Sequence, residues 1–206
     1  MNPQLWWFLA RWSGMIAWLM LTASVIWGVV LSTKAFPQHR RAAWLRDLHA
    51  WLGGLTVFFV ALHVFALWAD SYVQFDLADL AVPYVIDWKP GAVAMGIVAA
   101  WLLVAVQLTS LAMARLPRVV WRFTHFTSYA TFWLTSLHAA YAGTDRVTGL
   151  YQLTAVASII AVVWAMIYRV THRRTPRPSP PADPSAPGGL DSALPAEVPR
   201  STVGRR

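Results

Sequence analysis

Of the 206 residues, 57% are hydrophobic and 13 are tryptophan, more apolar surface than a soluble domain of this size hides, so the bilayer is the expected solvent. The lack of cysteine excludes disulfides, thiol chemistry, cysteine-held iron–sulfur clusters and covalently attached c-type haem. A net charge of +8 would suit nucleic acid, but the basic residues border the apolar stretches, where lipid headgroups and topology account for them, and no nucleic-acid partner is expected.

A spanning helix takes about 20 mostly apolar residues, and the stretches 12–31, 48–69, 91–113, 119–142 and 148–168 qualify. The expected fold class is all-α, a multi-pass transmembrane bundle of about five helices. The first stretch, WSGMIAWLMLTASVIWGVVL, has the length of a span, and no short apolar core with a small-residue cleavage site is found there. It reads as a retained helix. Between the second and third spans, DSYVQFDLADLAVPYVIDWKP keeps apolar residues among its aspartates. It reads as a short amphipathic segment on the membrane surface, with Pro90 opening the next span. Asp70, Asp76, Asp79 and Asp87 are oxygen donors that suit a hard cation, but a loose acidic loop is ordinarily just solvated, and no metal site is assigned there. Residues 1–172 form the expected helical domain, and the proline-rich segment 173–206 buries too little to fold and reads as a disordered cytoplasmic tail.

Assigning loops alternately to two sides separates the charges. One side holds Lys34, Arg40, Arg41, Arg46, Arg115, Arg118, Arg122 and the arginines from Arg169 onward, and the other only Arg11, Lys89 and Arg146. Lys and Arg collect on the cytoplasmic side, which places the N-terminus outside and the C-terminus in the cytoplasm of a cell-membrane protein.

Four histidines fall inside apolar spans, where ionisable groups are rare and usually functional: His49 and His63 in the second span, His125 and His138 in the fourth. Their separations of 14 and 13 residues correspond to about 21 Å and 20 Å along a helix axis. The second and fourth spans run in the same direction, so His49 lies level with His125 near the cytoplasmic face, and His63 with His138 near the outer one. A single histidine in a span is commonly a packing hydrogen-bond donor. Four at matched heights suit the axial ligands of two stacked b-type haems, His49 with His125 and His63 with His138. Two imidazoles on one iron leave no open coordination position and favour electron transfer. His39, in a basic loop, and His172, in the tail, read as solvated.

One angle is awkward. Fourteen residues return to within about 40° of the same helix face, but thirteen leave His125 and His138 about 140° apart. An irregularity in the fourth span is expected, with Thr127, Ser128, Thr131, Thr135 and Ser136 bonding back to carbonyls.

With these residues in view, the chain resembles the ferric reductase-like transmembrane domain, the membrane core shared by ferric reductases and NADPH oxidases. His49/His63 and His125/His138 match the histidine spacings of that family, over roughly residues 10–170. Members commonly have six spans and, in the oxidases, a cytoplasmic flavin and nicotinamide domain. The five spans here, without a glycine-rich dinucleotide fingerprint, look more like the compact bacterial branch that includes the haem-binding partner of the periplasmic methionine sulfoxide reductase. The resemblance implies two haem b groups, a flavin or quinone at one face, and partners on both sides. These would be membrane lipid, an electron donor (a flavoprotein reductase or quinone) and an extracytoplasmic redox partner. The function implied is a transmembrane haem b oxidoreductase subunit that passes electrons outward to an acceptor such as ferric iron or a flavoprotein. The alternatives are an electron-delivery subunit for a periplasmic reductase, with no substrate of its own, and a haem sensor or scaffold without turnover.

Propionates of a haem near the cytoplasmic face would meet Arg46, one turn before His49, and Arg122, three residues before His125, although both also serve as ordinary positive-inside anchors. Arg11, on the sparsely basic side, could pair with an outer propionate or an anionic substrate, or simply snorkel. Gly53 and Gly54 would let a macrocycle approach the backbone or serve helix packing, and Phe132 and Trp133 lie between the two histidine levels.

Overall fold

A computed structural model of the chain describes residues 3–33, 39–70, 75–144 and 147–171. Among these residues the secondary structure is helical: α1 (Pro3–Thr33), α2 (His39–Ala69), α3 (Leu77–Ala81), α4 (Pro90–Leu111), α5 (Arg118–Ala142) and α6 (Gly149–Thr171). Four of them, α1, α2, α4 and α6, are long and apolar enough to cross a bilayer, which marks a membrane protein with lipid-contacting faces. With 25 residues α5 is long enough. Its arginines, histidines and hydroxyls set it apart in composition, and of the five spans expected four are found by apolarity among the described residues. The tail from 173, Lys34, His172 and the side chains of His39, Arg40 and Arg41 lie outside the described residues.

The first two helices begin nine residues ahead of the apolar stretches. At 31 residues each they measure about 46 Å, against a hydrocarbon core of about 30 Å. Apolarity marks where a span enters lipid, while the backbone keeps its helical bonds through the headgroup layer, where Trp6, Trp7, Arg11 and Trp44 are at home. On α2, Trp44, Trp51, Phe58 and Phe65 recur every seven residues and are exposed, an aromatic stripe turned toward lipid.

α1 packs chiefly along α2, and α4 along α5, so the bundle is built from two helical hairpins, with α6 against α1. Between them lies a cluster of Leu21 and Val25 from α1, Phe132 from α5 and Val162 from α6, the last two fully buried. Phe132 therefore fills the core, while Trp133 is 37% exposed and turns away from it. Phe132→Ala is expected to cost about 3–5 kcal/mol through the cavity it leaves, read as a lower thermal unfolding midpoint in detergent.

The segment between the hairpins contains the short α3, where the Asp79 carboxylate accepts the Asp76 backbone N–H at 3.0 Å, so this acidic side chain serves local structure. The Trp101 indole of α4 donates to the Ala81 carbonyl at 3.1 Å, tying the segment down. Lys89 precedes Pro90 in a left-handed conformation (φ 46°) that few non-glycine residues adopt. Its ammonium donates to the Tyr141 carbonyl at 2.9 Å, satisfying an acceptor in the last turn of α5 and clipping α4 to its hairpin partner.

Candidate functional site

The two hairpins bring His49, His63, His125 and His138 together in two pairs. His49 of α2 faces His125 of α5 with ring centroids 5.9 Å apart, and His63 faces His138 at 6.5 Å. Two imidazoles on opposite sides of one iron would set their ring centres about 6 Å apart, from bonds of about 2 Å and about 1.1 Å from nitrogen to ring centre. The observed separations bracket that value.

Each ring is held from behind by a neighbouring helix. His63 Nδ1 donates to the Ala10 carbonyl of α1 at 2.7 Å, and His138 Nδ1 to the Ala92 carbonyl of α4 at 2.8 Å. A carbonyl can only accept, so at these two rings Nδ1 carries the hydrogen and Nε2 keeps its lone pair for a metal. At the other level the Nδ1 atoms of His49 and His125 lie 3.3 and 3.4 Å from the hydroxyls of Ser24 and Ser110. α1 thus holds both histidines of α2, and α4 both histidines of α5.

Small residues let the rings sit this close to a helix backbone. A Cβ at Gly14 would stand 2.9 Å from His63 Nδ1, one at Gly96 2.7 Å from His138 Nδ1, and one at Gly28 3.3 Å from His49 Cε1. Ala10 with Gly14 and Ala92 with Gly96 repeat one device, a carbonyl acceptor followed four residues later by a bare backbone.

The expected irregularity in α5 is not found. The helix is continuous, without a bulge, while Thr127, Thr131, Thr135 and Ser136 hydrogen-bond back to their own helix. Both rings nonetheless find α4, because Ala92 and Ser110 are 18 residues apart on it, about five full turns and so one face.

A cavity of about 540 Å³ opens at the His49–His125 level, a size within the range of about 300–1,000 Å³ typical of cofactor sites. Arg46, Arg122 and Arg169 line it. The Arg169 guanidinium donates to the Tyr129 hydroxyl and lies 5.0 Å from the Phe126 ring centre. Trp121 stacks on His125 at 5.2 Å, and its indole N–H is buried without a hydrogen-bond partner. Gly53 borders the cavity near Gln107, whereas a Cβ at Gly54 would meet nothing within 4 Å. Between the two histidine levels the cavity wall carries Thr56 and Thr131, both 2% exposed, while Phe132 and Trp133 do not line it. Arg11 lies with its guanidinium 4.8 Å from the Trp7 ring centre. Among the described residues no group of three or more His, Asp or Glu is arranged to hold a bare metal ion.

Several of these groups escape a reading of the sequence alone. Arg169 looks like one more basic residue bordering the last apolar stretch, and carbonyl acceptors have no sequence signature. The recurring small residues at four-residue spacing, Ala10/Gly14, Ser24/Gly28 and Ala92/Gly96, are a signal of close helix approach that could have flagged the backing helices. The chain matches no family model, no curated protein and no solved structure.

Proposed function

We propose that this chain is a transmembrane haem b oxidoreductase subunit of the ferric reductase-like kind, carrying electrons across the membrane from a cytoplasmic or quinone donor to an extracytoplasmic acceptor. The observation that carries the reading is the pairing of four imidazoles at two levels, with ring separations suited to one iron between each pair. Two features of the chain fit the group: glycines where a side chain would strike the rings, and an unpaired indole N–H beside cavity-lining arginines. Haem iron at both levels would supply one-electron chemistry along a path through the bilayer.

The chain's own residues hold that arrangement. Nε2 of His49 and His125, and of His63 and His138, would hold the haem iron, with Ala10 and Ala92 orienting the second pair. Arg46, Arg122 and Arg169 supply positive charge where propionate carboxylates would emerge. In this reading α5 is the fifth span. Its length, its place beside α4 and the internal bonding of its hydroxyls and imidazoles support that, since polar groups survive in lipid only when they are satisfied. The Lys/Arg distribution orients the N-terminus outward and sets His49 and His125 toward the cytoplasm.

Purification in mild detergent tests the assignment. The expected result is about two haems per chain, six-coordinate spectra in both oxidation states, and reduction by a flavoprotein reductase or quinol. The ring planes stand 69° and 80° apart, so the ferric form should give strongly anisotropic low-spin resonance signals. A purified protein that takes up no haem would sink the proposal.

A further inference from the structure

We propose that the lipid-facing side of α2 holds one phospholipid in a defined site that selects an ethanolamine headgroup, with the headgroup ammonium on Asp47 and an acyl chain between Trp51 and Phe58. A groove of about 510 Å³ runs along this helix, lined by Asp47, Ala50, Trp51, Gly54, Leu55 and Phe58. It lies on the side away from the histidines, since Asp47, Gly54 and Phe58 are about 140–180° around the helix from His49. Its floor is bare, because a Cβ at Gly54 would meet nothing within 4 Å. Trp51 and Phe58, which are 71% and 60% exposed, form its walls. From Asp47 to Phe58 the helix rises about 16 Å, and half of the hydrocarbon core is about 15 Å thick. Asp47 is the last residue before the apolar stretch 48–69, so its carboxylate lies at headgroup depth and the rest of the groove at acyl depth. A groove polar at one end and apolar for the thickness of one leaflet has the dimensions of a phospholipid.

Charge chooses the headgroup. Asp47 is exposed, and among the described residues no hydrogen bond or ion pair engages its carboxylate. An anionic headgroup would be repelled there. A choline cation has no N–H to give, whereas an ethanolamine ammonium offers three donors for charge-assisted bonds. The Trp51 indole adds an N–H for the ester oxygens of the same lipid. Other occupants fit less well: a second copy of α2 laid parallel would set Asp47 against Asp47, and a quinol would leave the carboxylate without a cation. Ala50 borders both this groove and the cavity at the His49–His125 level, so a lipid held here packs on the outer wall of that cavity.

The test is native mass spectrometry of the full chain, purified in mild detergent and offered equal amounts of phosphatidylethanolamine, phosphatidylcholine and phosphatidylglycerol with the same acyl chains, together with a ubiquinone. One phosphatidylethanolamine per chain should be retained, about tenfold over either other lipid, the scale of one charge-assisted hydrogen bond. Asp47→Asn, which removes the negative charge and keeps the shape, should abolish that preference. Gly54→Leu, which fills the floor of the groove, should lower retention of all three lipids. Both positions face away from the packed helices, so the thermal unfolding midpoint should stay at the parent value, and Asp47→Asn decides the headgroup even where Gly54→Leu fails to fold. Equal retention of the three lipids by the parent, a preference that survives Asp47→Asn, or capture of the ubiquinone or a second copy in place of the lipid would overturn the proposal. Lipid retention is read whether or not haem is bound, so failure of this site and failure of the haem reading are separate results.

Discussion

His63→Ala and His138→Ala are each expected to leave about one haem per chain, and the double variant His63→Ala/His138→Ala to leave no less than either single one. The reason is geometric: the two rings face each other at 6.5 Å across one site, so losing either removes the same pair. Combining residues from different levels should behave otherwise. His49→Ala/His138→Ala breaks both pairs, at 5.9 and 6.5 Å, and should abolish binding. This non-additivity within a level and additivity between levels is the signature of shared ligation, read by pyridine haemochrome content against protein mass. Equal losses in the same-level and cross-level double variants would reject the pairing.

The second large effect is expected from glycines that never touch the metal. Gly96→Ala would press a methyl group to 2.7 Å from His138 Nδ1, and Gly14→Ala to 2.9 Å from His63 Nδ1, distances that ordinary packing does not allow. Each ring is pinned by a carbonyl on the same backing helix, so relief requires breaking that hydrogen bond or moving the helix. Both variants should weaken haem retention at the His63–His138 level by about 10- to 100-fold, as removal of groups that orient metal ligands does. Gly28→Ala, with 3.3 Å to His49, should be milder and act on the other level, and Gly54→Ala, with open space around it, should change nothing. Haem dissociation to an apoprotein acceptor, followed by stopped-flow absorption, orders the four. A flat series would mean that these contacts do not govern the rings.

Much of this arrangement is legible in the sequence because two strong physical signals coincide. Long apolar runs mark the helices, and an imidazole in such a run stands out because lipid makes it costly. The height of each histidine follows from the rise of a helix, so the meeting of His49 with His125 and of His63 with His138 can be read from spacing alone. Less legible are features that depend on neighbours. The rotation of α5 about its axis is settled by α4, whose Ala92 and Ser110 hold both rings on one face, and not by the hydroxyls of α5. Phe132 sits at the right height to lie between the levels, yet the company of Leu21, Val25 and Val162 draws it into the core. Arg169 reaches the cavity because α6 continues as a helix just past the end of the last apolar stretch, 148–168.

The polarity of α5 has a consequence for biosynthesis. A nascent segment leaves the translocation channel for lipid according to its apolar content, and mid-helix charged or imidazole groups oppose that step. Unlike α4 just ahead of it, α5 falls outside the helices apolar enough to cross by composition. Its favourable company is α4, joined to it by a short connection and by the Lys89 clip. The order of synthesis delivers α4 first, so the two are expected to enter the bilayer as a pair. A chain truncated to begin after α4 should strand α5 in water, because the imidazoles and hydroxyls that set it apart from the apolar helices make it depend on its predecessor for a place in the membrane.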